Sequence, residues 1–137
     1  MIRVLLVDDQ PTVRKGLRMR LEAELDMRVI GEAKNGSEAV MMAQITRPDV
    51  AVVDVEMPDM DGIEAATAMR VLAPYVSVVV LSIHDDQATQ VRARAAGVRA
   101  FVSKHDSTDA LLSAIRAAAS PRPHAFRAEL GDQRPVA

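Results

Sequence analysis

The residues best suited to chemistry stand where apolar runs stop. Ile2–Val7 runs directly into Asp8 and Asp9, Val50–Val55 carries Asp54 near its end, and Lys104 follows Ala100–Val102. Carboxylates brought together repel one another and raise each other's pKa unless a cation neutralises them. One or two carboxylates, a backbone carbonyl and retained waters select a hard ion and suit Mg²⁺. A single acid after a strand can merely cap the next helix, and a lone Asp at a strand end is common. Two acids after the first run, one at the third and a lysine after the fifth, all at one edge, make coincidence a weak explanation.

Those residues meet only if the runs are strands of one sheet. Short β-branched runs alternate with segments of helical period, the pattern of βα units on a parallel sheet. The runs are Ile2–Val7, Met27–Ala33, Val50–Val55, Ser77–Leu81 and Ala100–Val102. Val50–Val55 and Val76–Leu81 are almost continuously apolar, as strands covered by helices on both faces must be. Val13, Leu17, Leu21 and Leu25 give one stripe on a first helix, with Pro11 in its first turn. Asn35-Gly36 marks a turn, and Ser37 is a candidate cap for a helix carrying Ala39, Val40, Ala43 and Gln44. Arg47-Pro48 stops that helix. Further helices are predicted from about Gly62 to Leu72, from Asp86 to Ala96 with Gly97 closing it, and from Ser107 to Ala119. The last carries Leu111, Leu112 and Ile115.

The prediction is an α/β domain over 1–119: a doubly wound, five-stranded parallel sheet with helices on both faces, in the flavodoxin-like order 2-1-3-4-5. Right-handed crossovers then set the first and third strands side by side, so that Asp8, Asp9 and Asp54 converge at the switch point. Ser120-Pro121-Arg122-Pro123 breaks the last helix, and the polar remainder, 120–137, reads as a flexible tail or the start of a linker.

Composition narrows the function classes. With 137 residues the chain is about one domain, and 49% hydrophobic with 26% charged residues is ordinary for a globular protein. The absence of cysteine removes disulfides and thiolate metal sites. No signal peptide and no run of roughly 20 apolar residues is present, so no membrane association and a cytoplasmic setting are expected. A net charge of −2 and only three aromatic residues, Tyr75, Phe101 and Phe126, give neither an electrostatic footprint nor a stacking surface for nucleic acid.

Four ordered motifs carry a resemblance. Val4-Leu5-Leu6-Val7-Asp8-Asp9 looks like the opening of response-regulator receiver domains of two-component systems. Asp54-Val55-Glu56-Met57-Pro58-Asp59-Met60-Asp61-Gly62 is similar to their phosphoacceptor segment. Val80-Leu81-Ser82 and Phe101-Val102-Ser103-Lys104 resemble their fourth- and fifth-strand motifs. The match runs from about Ile2 to Ala119. It implies that Asp54 takes a phosphoryl group from the phosphohistidine of a sensor histidine kinase. Mg²⁺ would be held by Asp8, Asp9, Asp54 and the backbone carbonyl of Glu56. Lys104 and Ser82 would contact the phosphoryl oxygens, and Ser82 with Phe101 would form the conformational switch. On this reading the chain is a signalling switch, catalysing only its own phosphorylation and dephosphorylation.

Departures from the family pattern point to tuning. Phe101 lacks the hydroxyl of the tyrosine that many relatives carry, so any switch there works by packing. Ile83 stands where a small residue is common, narrowing access, and His84 lies close enough to influence hydrolysis. Glu56 places another charge near the incoming phosphate, so Glu56→Gln is expected to be phosphorylated faster by small donors. His105 in place of the usual proline, and Ser82-Ile83-His84-Asp85-Asp86, lean towards the LuxR/NarL-type subfamily. Such regulators carry a helix-turn-helix domain after the receiver, for which this sequence has no room. Two outputs stay open: transcription control through a DNA-binding domain absent from this chain, or a stand-alone receiver acting through protein–protein contacts, with a homodimer possible on phosphorylation. An aspartyl-phosphate phosphatase or phosphotransferase is the weaker alternative, since such enzymes need a cap or substrate pocket that a chain this short does not supply.

Overall fold

The chain is seen in a computed structural model that describes residues 1–120 and 127–129. Strands β1 (Ile2–Val7), β2 (Met27–Ala33), β3 (Val50–Asp54), β4 (Ser77–Ser82) and β5 (Ala100–Ser103) alternate with helices α1 (Pro11–Glu22), α2 (Gly36–Thr46), α3 (Gly62–Leu72), α4 (Gln87–Ala95) and α5 (Thr108–Ala119). All pairings are parallel, in the expected order 2-1-3-4-5. A three-residue strand, β6 (Arg127–Glu129), extends the sheet beside β5. These residues fall within 120–137, the stretch expected from its polar sequence to be a tail or linker. A strand this short is held by backbone pairing and leaves no apolar period to find. The rest of that tail beyond Ser120, 121–126 and 130–137, lies outside the described residues.

Successive strand side chains point to opposite faces, and the alternation sorts the apolar residues into two cores. Leu5, Val7, Val53, Val80 and Phe101 pack with Ala39 and Ala43 of α2, Ile63 and Met69 of α3, and Ala93 of α4. Val4, Leu6, Val52, Leu81 and Val102 pack with Leu21 of α1 and Leu111, Leu112 and Ile115 of α5. Every residue of β3 is buried, because helices cover both its faces.

Three local expectations are corrected. Helix α1 ends at Glu22, so Leu25 leaves its stripe and stands 97% exposed. Asn35, not Ser37, caps α2: its side chain accepts the Glu38 N–H at 2.8 Å. An Asn two places earlier reaches the free amide of the first turn, which a residue inside that turn cannot do. Gln44 lies on the exposed side of α2, with its amide near the Leu72 carbonyl. Arg47 closes α2 with φ 49°, and Gly97 follows α4 with φ 82°, the left-handed geometry expected of a helix terminator.

Candidate functional site

The carboxyl ends of β1, β3, β4 and β5 lie side by side, and their terminal residues form the site. Asp8, 1% exposed, and Asp54, 3% exposed, are buried. One carboxylate oxygen from each of Asp8, Asp9 and Asp54 lies within 4.8 Å of the others. Asp8 Oδ1 accepts the Gln10 N–H at 2.8 Å, which turns the chain from β1 into α1. Asp8 Oδ2 and Asp9 Oδ1 are buried and have no hydrogen-bond partner among the described residues. Buried carboxylate oxygens without partners are costly unless a cation satisfies them. An all-oxygen set with two unsatisfied members therefore fits a hard divalent ion such as Mg²⁺.

Asp54 itself is partly satisfied. Its Oδ1 pairs with Lys104 Nζ at 2.9 Å and accepts the Glu56 N–H at 3.2 Å. Its carboxyl stands raised to about 6, chiefly by burial and also by Asp8, against the Lys104 ammonium and the Glu56 amide, which lower it. Lys104 reaches the site because its own N–H donates to the Ser82 carbonyl at 2.8 Å, which holds the ends of β4 and β5 together.

The remaining residues singled out from sequence divide clearly. Ser82 is fully buried, and its hydroxyl lies 2.9 Å from Glu56 Oε2 and 2.9 Å from the His84 carbonyl, while accepting the His84 N–H at 2.9 Å. Ile83 is 47% exposed, and its N–H donates to Glu56 Oε1 at 2.7 Å. His84 is exposed and meets Ser82 through its backbone. Phe101 is completely buried, one strand over from Val80, in the core under α3 and α4.

Supporting residues appear that sequence reasoning missed. Arg14 on α1 donates to the Asp8 carbonyl at 2.7 Å and to Glu32 Oε1 at 2.8 Å, pinning the turn that carries the acids. Asp61 caps α3 through the Ile63 and Glu64 amides at 2.9 and 2.8 Å and receives Arg92 of α4 at 2.8 Å. Burial works against the Asp61 charge, but Arg92 and the two amides hold its carboxyl below the usual range. The D-x-x-E spacing of Asp61 and Glu64 could have announced this capping box. The ion pairs across 18 and 31 residues carry no sequence signal. Gly62 is required for a steric reason: a Cβ there would stand 2.2 Å from the Asp54 carbonyl oxygen and 2.9 Å from Val55 Cα.

Residues 4–116 match the response regulator receiver domain family. The chain is 43% identical over 125 residues to the transcriptional regulatory protein LiaR of Bacillus subtilis, covering 90% of this chain and 58% of LiaR. It spans little more than half the length of the curated relatives it matches. Among solved structures, the signal receiver domain of the response regulator NarL from Mycobacterium tuberculosis superposes with TM-score 0.83 at 32% identity, covering 88% of this chain and 98% of that one. A LuxR-family two-component response regulator from Aurantimonas sp. gives TM-score 0.86 at 31% identity, covering 91% and 89%. The chain belongs to the response regulator receiver domains, with relatives of the LuxR/NarL type.

Proposed function

We propose that the chain is a phosphoacceptor switch that receives a phosphoryl group on Asp54 from the phosphohistidine of a sensor histidine kinase, with Mg²⁺ as cofactor. One observation carries the reading: a buried carboxylate paired with Lys104 beside two acids that each leave a buried oxygen without a partner among the described residues. In the transfer, the phosphorus–nitrogen bond breaks as a bond forms between phosphorus and an Asp54 carboxylate oxygen; the phosphohistidine ring, carrying a proton on its other nitrogen, takes the bonding pair and leaves as neutral imidazole. Asp8, Asp9, Asp54 and the Glu56 backbone carbonyl would hold the metal. When bound, Mg²⁺ supplies positive charge against the phosphoryl oxygens and lowers the repulsion between them and the acids.

The chain's own residues do the rest. Lys104 sits within ion-pair distance of the nucleophile and offers a fixed cation to the phosphoryl oxygens. Ser82 offers a hydroxyl and Ile83 an amide. A phosphoryl group drawing on these two donors would shift the β4–α4 loop, and Phe101 beneath α4 would repack in response, biasing two alternative packings. The likeness to transcriptional regulators supports control of transcription as the output, through a DNA-binding domain outside this chain; homodimerisation on phosphorylation is a further part of the proposal. Among the described residues no helix is long and apolar enough to cross a membrane, and a cytoplasmic location is part of the proposal.

Incubation with acetyl phosphate and Mg²⁺, read by intact mass, tests the reading. The expected result is one added phosphoryl group that is absent from Asp54→Ala. Equal labelling of the two proteins contradicts it, and steady turnover of phosphoesters would favour a phosphatase instead.

A further inference from the structure

Glu56 stands two residues past Asp54, and its side chain spans the gap to β4. Oε2 lies 2.9 Å from the fully buried Ser82 hydroxyl and Oε1 takes the Ile83 N–H at 2.7 Å. Both carboxylate oxygens are thus committed to consecutive residues at the end of β4, across 26 and 27 positions of sequence. The Ser82 proton has a second acceptor in the His84 carbonyl at the same 2.9 Å, but a carboxylate is the stronger acceptor. The Ser82 lone pair is used too, by the His84 amide at 2.9 Å.

The two donors that Glu56 occupies are a hydroxyl and an amide at the mouth of the phosphoacceptor site, the groups an added phosphoryl on Asp54 needs. A phosphoryl group and a carboxylate are both acceptors with several oxygens, so they compete for the same N–H and O–H. Glu56 is anchored to Asp54 by its own amide, at 3.2 Å from Oδ1. One short segment therefore carries the nucleophile and the group that holds its future donors.

We infer that the Glu56 carboxylate is an internal latch: it holds the Ser82 hydroxyl and the Ile83 amide in the unphosphorylated state, and the phosphoryl group must displace it before the β4–α4 loop can rearrange. The inference rests on the phosphoacceptor reading above and adds a regulatory element to it. Glu56 acts as a positioning residue, through Ser82 and Ile83. The latch raises the barrier to phosphorylation by small donors and couples the loop's movement to release of one side chain.

A simpler account is that the Glu56 charge repels the incoming phosphate, and chain length separates the two. Glu56→Asp keeps the charge but is one methylene too short to hold both donors. Rates of adduct formation with acetyl phosphate and Mg²⁺ are measured by intact mass for wild type, Glu56→Asp, Glu56→Gln and Glu56→Ala. Exchange of the Ile83 amide is followed by NMR in the same unphosphorylated proteins. The latch predicts that Glu56→Asp and Glu56→Ala both form adduct about tenfold faster, the size of one charge-assisted hydrogen bond, with Glu56→Gln also faster. It also predicts faster Ile83 exchange in Glu56→Asp and Glu56→Ala. Wild-type rates in Glu56→Asp with acceleration only in the two uncharged variants would establish repulsion and overturn the latch. So would unchanged Ile83 exchange in all variants. Failure of wild type and every variant to form an Asp54-dependent adduct would remove the phosphoacceptor reading itself, and the latch with it; normal adduct formation at equal rates removes the latch alone.

Discussion

Asp54 lies 3% exposed beside Asp8, and burial is the largest influence on its ionisation. Its folded carboxyl titrates near 6 against 3.8 in the unfolded chain. The folded state therefore binds this proton more tightly than the unfolded one. That contribution to stability is complete below the unfolded value and is lost as pH rises through about 6. In metal-free buffer, wild type is expected to lose stability relative to Asp54→Asn as pH rises from about 4 to about 7, as read by urea midpoints of the two proteins. A constant difference between the two across that range would contradict the assignment. Lys104 contributes in the opposite direction, since its ammonium favours the charged carboxylate. Lys104→Met should therefore raise the Asp54 pKa further, measurable by NMR titration of the carboxyl carbon, and an unchanged value would show that the 2.9 Å pair does little.

At the scale of elements, the site depends on how closely α3 approaches the end of β3. Gly62→Ala sets a methyl 2.2 Å from the Asp54 carbonyl oxygen, a backbone atom that cannot swing aside. The helix start must move, at a cost of about 1–3 kcal/mol, with a lower Tm and slower phosphorylation. Gly16 in α1 makes the control, since nothing lies within 4 Å of its Cβ position. Gly16→Ala should raise stability by about 0.5–1 kcal/mol through better helix propensity. Thermal melts that rank the two substitutions the other way would refute this account of the β3–α3 turn.

The elements themselves were legible in the sequence because their signals are local: apolar runs for β1, β3 and β4, and Gly97 after α4. The acidic cluster was legible too, because strand order converts three sequence positions into one edge. Contacts between distant side chains were not legible. Arg14 reaching Glu32, Arg92 reaching Asp61 and Glu56 reaching Ser82 each join residues whose spacing has no period. The end of α1 is hidden in the sequence because Leu25 continues the four-residue spacing, although the helix stops at Glu22 and leaves it in solvent. Apolar spacing records which residues could share a face; it does not record where the backbone turns away.

For the molecule as a whole, the central asymmetry is electrostatic. Asp8 and Asp9 bring buried oxygens with no partner among the described residues to one end of a sheet whose central strand β3 is apolar up to Asp54. A cation that binds there and not to the unfolded chain stabilises by mass action, by about 2.7 kcal/mol when its concentration is a hundredfold above Kd. Mg²⁺ should raise the Tm of wild type in a concentration-dependent way and leave Asp9→Asn nearly unaffected; equal responses would place the metal elsewhere. The most direct test of the phosphoacceptor claim locates the adduct. Borohydride reduces an acyl phosphate of aspartate to homoserine, and peptide sequencing by mass spectrometry then reads its position. With acetyl phosphate and Mg²⁺, homoserine is predicted at position 54 and nowhere else, and none should form when EDTA replaces the metal. Homoserine at another aspartate, or equal conversion at 54 without metal, would contradict the account.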